Sequence, residues 1–290
     1  MYFADNPNLT DLIILSPQWL ANRMSDIISF KNNFYHATAP IEVIEKIWEK
    51  YDPKMREFLI SLLEKFEVIY RTSLENFKKV IVIPSLLPET PDYDPIVTST
   101  NFEEKRNSGV FIFKRIFNFK FLPQGFFSRI IVRVINTINA IVTNVWRNGI
   151  EIKNDEHRTS GIIRFLQEEI KAQKGILFAL EILTIEDRDT QEEKERIPLI
   201  HQLINLINSL VSSSYSGNSQ NKIIHKVICY FCIGNTQEKT FSYRNCLEDY
   251  LSGKTFVLCS KCGNQIPFAK LTPDITLSYS ILFVLFSICF

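Results

Sequence analysis

The residues best suited to chemistry by type and spacing are cysteines near the end of the chain. Cys229-Tyr-Phe-Cys232 and Cys259-Ser-Lys-Cys262 are two Cys-x-x-Cys pairs, with Cys246 and His225 close by in sequence. Two such knuckles can bring four thiolates into a tetrahedron around Zn²⁺ at about 2.3 Å. The gap between the pairs is a little longer than in the tightest zinc ribbons but within reach, and Gly263 after the second pair can relieve the turn. Paired knuckles favour a structural zinc held by Cys229, Cys232, Cys259 and Cys262 over four unliganded thiols. A set in which Cys246 replaces one of them stays open. Redox catalysis is disfavoured, because no thioredoxin-like βαβ pattern surrounds either pair. All six cysteines lie beyond residue 225, which indicates a local site and argues against a secreted disulfide framework.

Other chemistries find little support. The only Gly-Lys-Thr is Gly253-Lys254-Thr255, and Glu248 stands where a phosphate-binding loop needs its leading glycine. The glycine-rich loop, His-Arg-Asp and Asp-Phe-Gly of a kinase are missing. His36, His157 and His201 are separate, with no nucleophile or carboxylate constellation, and read as ordinary surface. Net charge is +1 with no Lys/Arg block, so nucleic acid and acidic membranes are not expected partners. Met1-Tyr2-Phe3-Ala4-Asp5 lacks the basic and apolar regions of a signal peptide, so a cytoplasmic protein is expected. The tail 275–290 is uncharged and apolar but shorter than the ~20 residues of a spanning helix. It reads as continuation past a domain boundary rather than as an anchor.

The elements that must position these residues follow from periodicity. The 290 residues, 46% hydrophobic and 22% charged, suit more than one globular unit. Residues 9–15 read as a buried strand, followed by a helix that Ser16 caps and Pro17 opens, with Leu20, Met24, Ile27 and Ile28 on one face. A second helix starts near Pro40, carrying Ile41, Ile44, Ile47 and Trp48. A third follows Pro53, with Met55, Phe58, Leu59, Leu62, Leu63 and Phe66 in unbroken helical rhythm. Strands at 67–70 and 79–83 complete a winged-helix-like unit whose first helix is missing. Pro84, Pro88, Pro91 and Pro95 mark a linker that runs to about Gly109.

In the second unit, Phe111, Phe113, Phe117, Phe119 and Phe121 share one parity and Lys114, Asn118 and Lys120 the other, a strand with one buried face. Pro123 and Gly125 lead into a helix with Phe126, Phe127, Ile130, Ile131, Val134 and Ile138 on its core side. Asn148-Gly149 predicts a hairpin, because both turn residues tolerate positive φ. Strands are expected at 161–167 and 176–184. A helix is expected over 192–212, carrying Ile197, Ile200, Leu203, Ile204, Ile207 and Leu210, and a Ser-rich linker over 212–219. The charged run 186–196 reads as a solvated loop and helix start. Trp19 and Trp48 read as core, Trp146 as core or interface, and Arg129 with Arg133 as a solvated helix edge or a site for an acidic partner face.

The fold class is α+β: a winged-helix-like unit (1–100), an antiparallel sheet with packed helices (101–215), a small zinc-ribbon-like cysteine-rich element (221–274) and the apolar tail (275–290). Five phrases in order carry a family resemblance: Asp11-Leu-Ile-Ile-Leu-Ser-Pro-Gln-Trp-Leu20, Leu62-Leu-Glu-Lys-Phe-Glu-Val68, Ile83-Pro-Ser-Leu-Leu-Pro88, Phe121-Leu-Pro-Gln-Gly-Phe-Phe-Ser-Arg129 and Trp146-Arg-Asn-Gly-Ile150. Together they resemble the COR (C-terminal of Roc) domain of Roco proteins. The resemblance implies a device rather than an enzyme. Its N-terminal half packs against a Roc GTPase, and its C-terminal half pairs two subunits into a homodimer. The stretch from Cys229 through Cys232, Cys246 and Cys259 also resembles the cysteine-bearing segment after COR in some kinase-carrying members. The expected role is a non-catalytic dimerisation and regulatory scaffold. The alternative is a fragment of a Roco GTPase or serine/threonine kinase whose catalytic domains lie outside this chain.

Overall fold

The computed structural model describes residues 9, 13–29, 34, 37–73, 79–95, 100–119, 121–123, 125–170, 175–187, 197–214 and 223–275. His36 and the tail beyond Ile275 lie outside them. The chain is mixed α/β, with antiparallel sheets and a cysteine cluster.

Helix α1 (Pro17–Ile28) opens as its sequence dictates: Ser16 Oγ accepts the Trp19 amide at 3.2 Å, and Pro17 fills the first helical position. β1 (Thr38–Pro40) and α2 (Ile41–Ile47) follow. Asp52 then caps α3 (Pro53–Lys65) by accepting the Met55 amide at 3.0 Å. β2 (Tyr70–Ser73) and β3 (Lys79–Val82) complete an antiparallel sheet in the order β1-β3-β2. Ile27, Ile44, Trp48, Leu59, Leu63 and Ile81 form the core between helices and sheet. Trp48 is fully buried and Trp19 partly so, both as core packing.

The strand expected at 9–15 is not formed by its described residues. Residues 13–16 are not in a strand, and Ile13 and Leu15 are exposed. An apolar run becomes a strand only where an edge takes up its N–H and C=O groups. Here Leu9 and Ile14 instead cover Leu20, Phe58 and Leu62.

The Pro-rich stretch is anchored. The Arg147 amide donates to the Pro88 carbonyl at 2.7 Å, Asn144 Nδ2 donates to the Tyr93 carbonyl at 3.1 Å, and Arg147 pairs with Glu89. A short helix, α4 (Phe102–Asn107), then leads into the second sheet, capped by Asn101.

That sheet has seven antiparallel strands in the order β10-β9-β4-β8-β7-β6-β5. They are β4 (Phe111–Phe119), β5 (Ile141–Trp146), β6 (Gly149–Asn154), β7 (Thr159–Ile170), β8 (Gly175–Glu186), β9 (Ile224–Ile228) and β10 (Thr240–Ser242). Helices α5 (Phe126–Thr137) and α6 (Leu199–Ser214) bury Ile130, Ile131, Leu203 and Ile207 against Phe113, Phe117 and Ile163. β4 is covered on both faces, because Ile112 packs into a second cluster with Cys229, Cys232 and Cys259. The strand stops at Phe119, and Phe121 is exposed.

Four local expectations are corrected. Trp146 pairs with Gly149, so Arg147 and Asn148 make the hairpin turn, and neither Asn148 nor Gly149 has positive φ. Gly149 serves close approach instead: a Cβ there would lie 1.8 Å from the indole of Trp146, which is buried as core. Helix α6 begins at Leu199, after Pro198, and Ile197 is exposed; residues 192–196 lie outside the described set. Glu186 is not solvated. It is fully buried and accepts the Ile200 amide at 3.1 Å, satisfying a first-turn donor of α6 from a neighbouring strand. The start of the expected Ser-rich linker is helical through Ser214.

Candidate metal centre

The first knuckle grows out of the large sheet. β9 pairs with β4, setting Val227 opposite Arg115 and His225 opposite Phe117, and with β10, setting Ile228 opposite Thr240. Beyond β9, the Cys229 amide donates to Lys239 O at 2.9 Å and the Cys232 amide to Cys229 O at 2.9 Å. Gly234 then takes φ +86. After β10 comes α7 (Tyr243–Leu251), and the second knuckle closes the hairpin of β11 (Phe256–Leu258) and β12 (Gln265–Pro267). There the Cys259 amide donates to Asn264 O at 3.0 Å, and Gly263, at φ +72, donates to Cys259 O at 2.9 Å.

These turns bring the four predicted cysteines together. Cys229 Sγ lies 3.8 Å from Cys262 Sγ, and Cys232 Sγ lies 3.8 Å from Cys259 Sγ. All four sulfurs fall within 4.8 Å of one another. A tetrahedron with metal–sulfur bonds of about 2.3 Å has edges of about 3.8 Å, so these four residues could hold a zinc-sized ion. Burial pushes the Cys229 and Cys232 thiols up. Burial acts on Cys259 in the same direction, but the amides of Cys262 and Lys261 outweigh it and bring that thiol down to about 7. Cys246, on α7, is buried apart from this group, and burial pushes its thiol up to about 11. His225 is also outside it. Its ring is stacked between Phe117 and Tyr243, with centroids 4.2 Å away on each side.

Charged residues tie this element to the sheet, among them Lys114, which is buried although its parity set it opposite the buried face. Arg115 is fully buried and donates to Leu271 O at 2.6 Å and to Asp274 Oδ1 at 2.7 Å. Lys114 bridges Glu181 at 2.9 Å and Glu238 at 2.7 Å, and Arg164 adds a second cation to Glu181 at 2.6 Å. Burial alone would raise the Glu181 carboxyl, but these two cations hold it low. Two cations in the middle of a Phe-rich strand were the available signal.

Arg129 and Arg133 are neither a bare helix edge nor free for a partner. Both Nε atoms donate to the Glu67 carboxylate at 2.5 Å, while their Nη1 atoms donate to Ser214 Oγ at 3.0 Å and Ser209 Oγ at 3.3 Å. Gly253-Lys254-Thr255 ends a helix rather than starting one. Gly253 takes φ +88 after α7, and Lys254 pairs back to Asp249 at 2.6 Å.

With this geometry in view, comparison with known proteins gives the class. The family described as C-terminal of Roc, COR-A domain, matches residues 1–87, and C-terminal of Roc, COR-B domain, matches residues 111–274, a span that includes all four clustered cysteines. The chain belongs to the COR family of Roco proteins. It is similar to the probable serine/threonine-protein kinase pats1 of Dictyostelium discoideum, 28% identical over 287 residues, which is 96% of this chain and 8% of that protein. To the probable serine/threonine-protein kinase roco11 of the same organism it is 37% identical over 157 residues, 50% of this chain and 10% of the relative. To a Roc-COR-CHAT protease of Runella zeae it is 28% identical over 283 residues, 94% of this chain and 28% of the relative. The chain thus spans a tenth or less of these kinase relatives. Among the described residues no helix is long and apolar enough to cross a membrane.

Proposed function

We propose that the chain is a non-catalytic dimerisation and regulatory scaffold of a Roco-type protein, working in the cytoplasm and coupling a Roc-type GTPase domain to neighbouring domains. The observation that carries this reading is the pair of COR matches spanning both halves of the molecule. The printed name of the Runella relative sets Roc beside COR, which supports a Roc-type domain as partner. The N-terminal half is winged-helix-like; its support is the order α1-β1-α2-α3-β2-β3 and the sheet order β1-β3-β2. The second partner is another copy of this chain, through an interface that should exceed ~1,000 Å². Sedimentation should report a dimer at tens of micromolar, and a monomer at high micromolar overturns the scaffold reading. Zinc is the proposed cofactor, held by Cys229, Cys232, Cys259 and Cys262; their 3.8 Å sulfur separations support it.

A second reading is favoured by the names of the kinase relatives: a piece of a Roco GTPase or serine/threonine kinase. A phosphate-binding loop encoded upstream, or a kinase glycine-rich loop downstream, supports it. The chain by itself should hydrolyse no nucleotide under either reading.

A further inference from the structure

Helix α4 carries the connection between the two halves onto the first knuckle. Arg106 Nη1 donates to the carbonyls of Ile233 at 3.0 Å and Tyr230 at 3.5 Å. The Phe102 ring lies so close to Gly234 that a Cβ there would sit 2.5 Å from Phe102 Cδ2. Just past α4, Tyr230 Oη donates to the Val110 carbonyl at 3.0 Å. Every one of these contacts falls on residues 230–234, the turn built around Cys229 and Cys232. None uses a thiol, so the docking is compatible with a filled metal site.

Away from the knuckle, α4 relies on its Asn101 cap and its contact with β4. It is six residues long and has no fully buried residue of its own. Helices below ~12 residues are marginal in water without tertiary support. The knuckle therefore supplies tertiary support that a helix this short needs. Its carbonyls face Arg106 only while the turn from Cys229 to Gly234 is kept, and Glu238 steadies that turn by accepting the Gly234 amide at 2.9 Å and Lys114 at 2.7 Å. A metal ion held by this knuckle and the second would also fix the turn.

We propose that the first knuckle is the docking site of the inter-half segment 101–110, and that metal occupancy of the four-cysteine cluster controls whether this segment is docked. The proposal rests on the zinc reading and extends it to what the metal regulates. With metal bound, α4 is pinned and the connection between the halves is short. With metal removed, Arg106 loses both carbonyls and the connection lengthens.

The test is amide hydrogen exchange on the full chain, zinc-loaded and then stripped with a chelator, with released zinc counted. Expected are about one zinc per chain, and exchange across 103–110 at least about tenfold faster after stripping while α3 is unchanged. Phe102→Ala combined with Arg106→Gln should keep the zinc yet exchange fast in both states. Stoichiometric zinc with equal exchange across 103–110 before and after stripping overturns the docking inference alone. So does an equal acceleration in α3, which would mean global unfolding. A protein that retains no zinc after purification without chelator overturns the metal reading, and the inference with it.

Discussion

Arg129 of α5 and Glu67, at the end of α3, meet at 2.5 Å and tie the COR-B half to the COR-A half. Arg133 meets the other oxygen of the same carboxylate at 2.5 Å. Glu67 is a non-glycine residue at φ +57, so its backbone is held in a costly conformation where it reaches both guanidinium groups. Two charge-assisted bonds, partly open to solvent, contribute about 1–2 kcal/mol. Glu67→Gln and Glu67→Ala should each destabilise by about that amount in urea unfolding. Glu67→Gly should lose less than Glu67→Ala by about 0.5–1 kcal/mol, because glycine relieves the positive φ. Equal losses for Ala and Gly would show that the strain is not real.

Gly149→Ala places a methyl group inside the indole of Trp146, 1.8 Å from the nearest ring atom. The ring or the hairpin must move, at an expected cost of about 2–3 kcal/mol, read as a lower melting temperature and a changed tryptophan emission. Gly263→Ala, at φ +72 with open space around its Cβ, should cost only the ~1 kcal/mol of backbone conformation. A Gly149→Ala protein as stable as wild type would rule out this account of the hairpin.

Zinc retention should separate Cys246 from the four clustered cysteines. Cys246→Ser should retain a full complement of zinc, whereas Cys229→Ser, Cys232→Ser, Cys259→Ser and Cys262→Ser should each lose most of it. The geometry behind this is the group of four sulfurs within 4.8 Å of one another, which among the described residues leaves Cys246 out. Chelator should lower the melting temperature of wild type and of Cys246→Ser alike. Zinc loss on replacing Cys246 would show that the ligand set is wrong.

His225 sets a pH dependence. Burial first, then the nearby Arg115 guanidinium, push its pKa down to about 3, against about 6.5 in the unfolded chain. Between those values the unfolded chain binds a proton that the folded chain refuses. Its contribution to stability is therefore intact above about pH 6.5 and declines as pH falls toward 3, by at most about 1.4 kcal/mol per pH unit. His225→Phe removes this dependence, so its stability relative to wild type should improve on going from about pH 7.5 to about pH 5. A difference that is constant across that interval would refute the buried neutral ring.

What could be read in the sequence was whatever depends on neighbours along the chain. The Ser16–Pro17 helix start follows from local capping chemistry, and it and the helix after Pro53 appear where expected. The two Cys-x-x-Cys pairs specify their own tight turns, and the fold brings them together. The failures depended on distant partners. β1 is three residues long and includes Pro40, and only its pairing with β3 makes it a strand. The alternation in β4 indicated one buried face, but the second is buried by residues more than a hundred positions away. Glu186 read as solvent-facing from its charged neighbours, while its role is to cap a helix starting at Leu199. Likewise, nothing adjacent to Arg115 announces Asp274.

β9 gives hydrogen bonds to β4, so the segment that leads into the cysteine cluster supplies the outer neighbour of a Phe-rich strand. Any version of this protein that ends ahead of Ile224 would leave β4 as an open border, with Arg115–Asn118 unpaired along one side. Bare borders of that kind recruit strands from other molecules. Shortened forms should therefore clump in proportion to concentration, and self-association seen in them would say nothing about whether the full chain pairs.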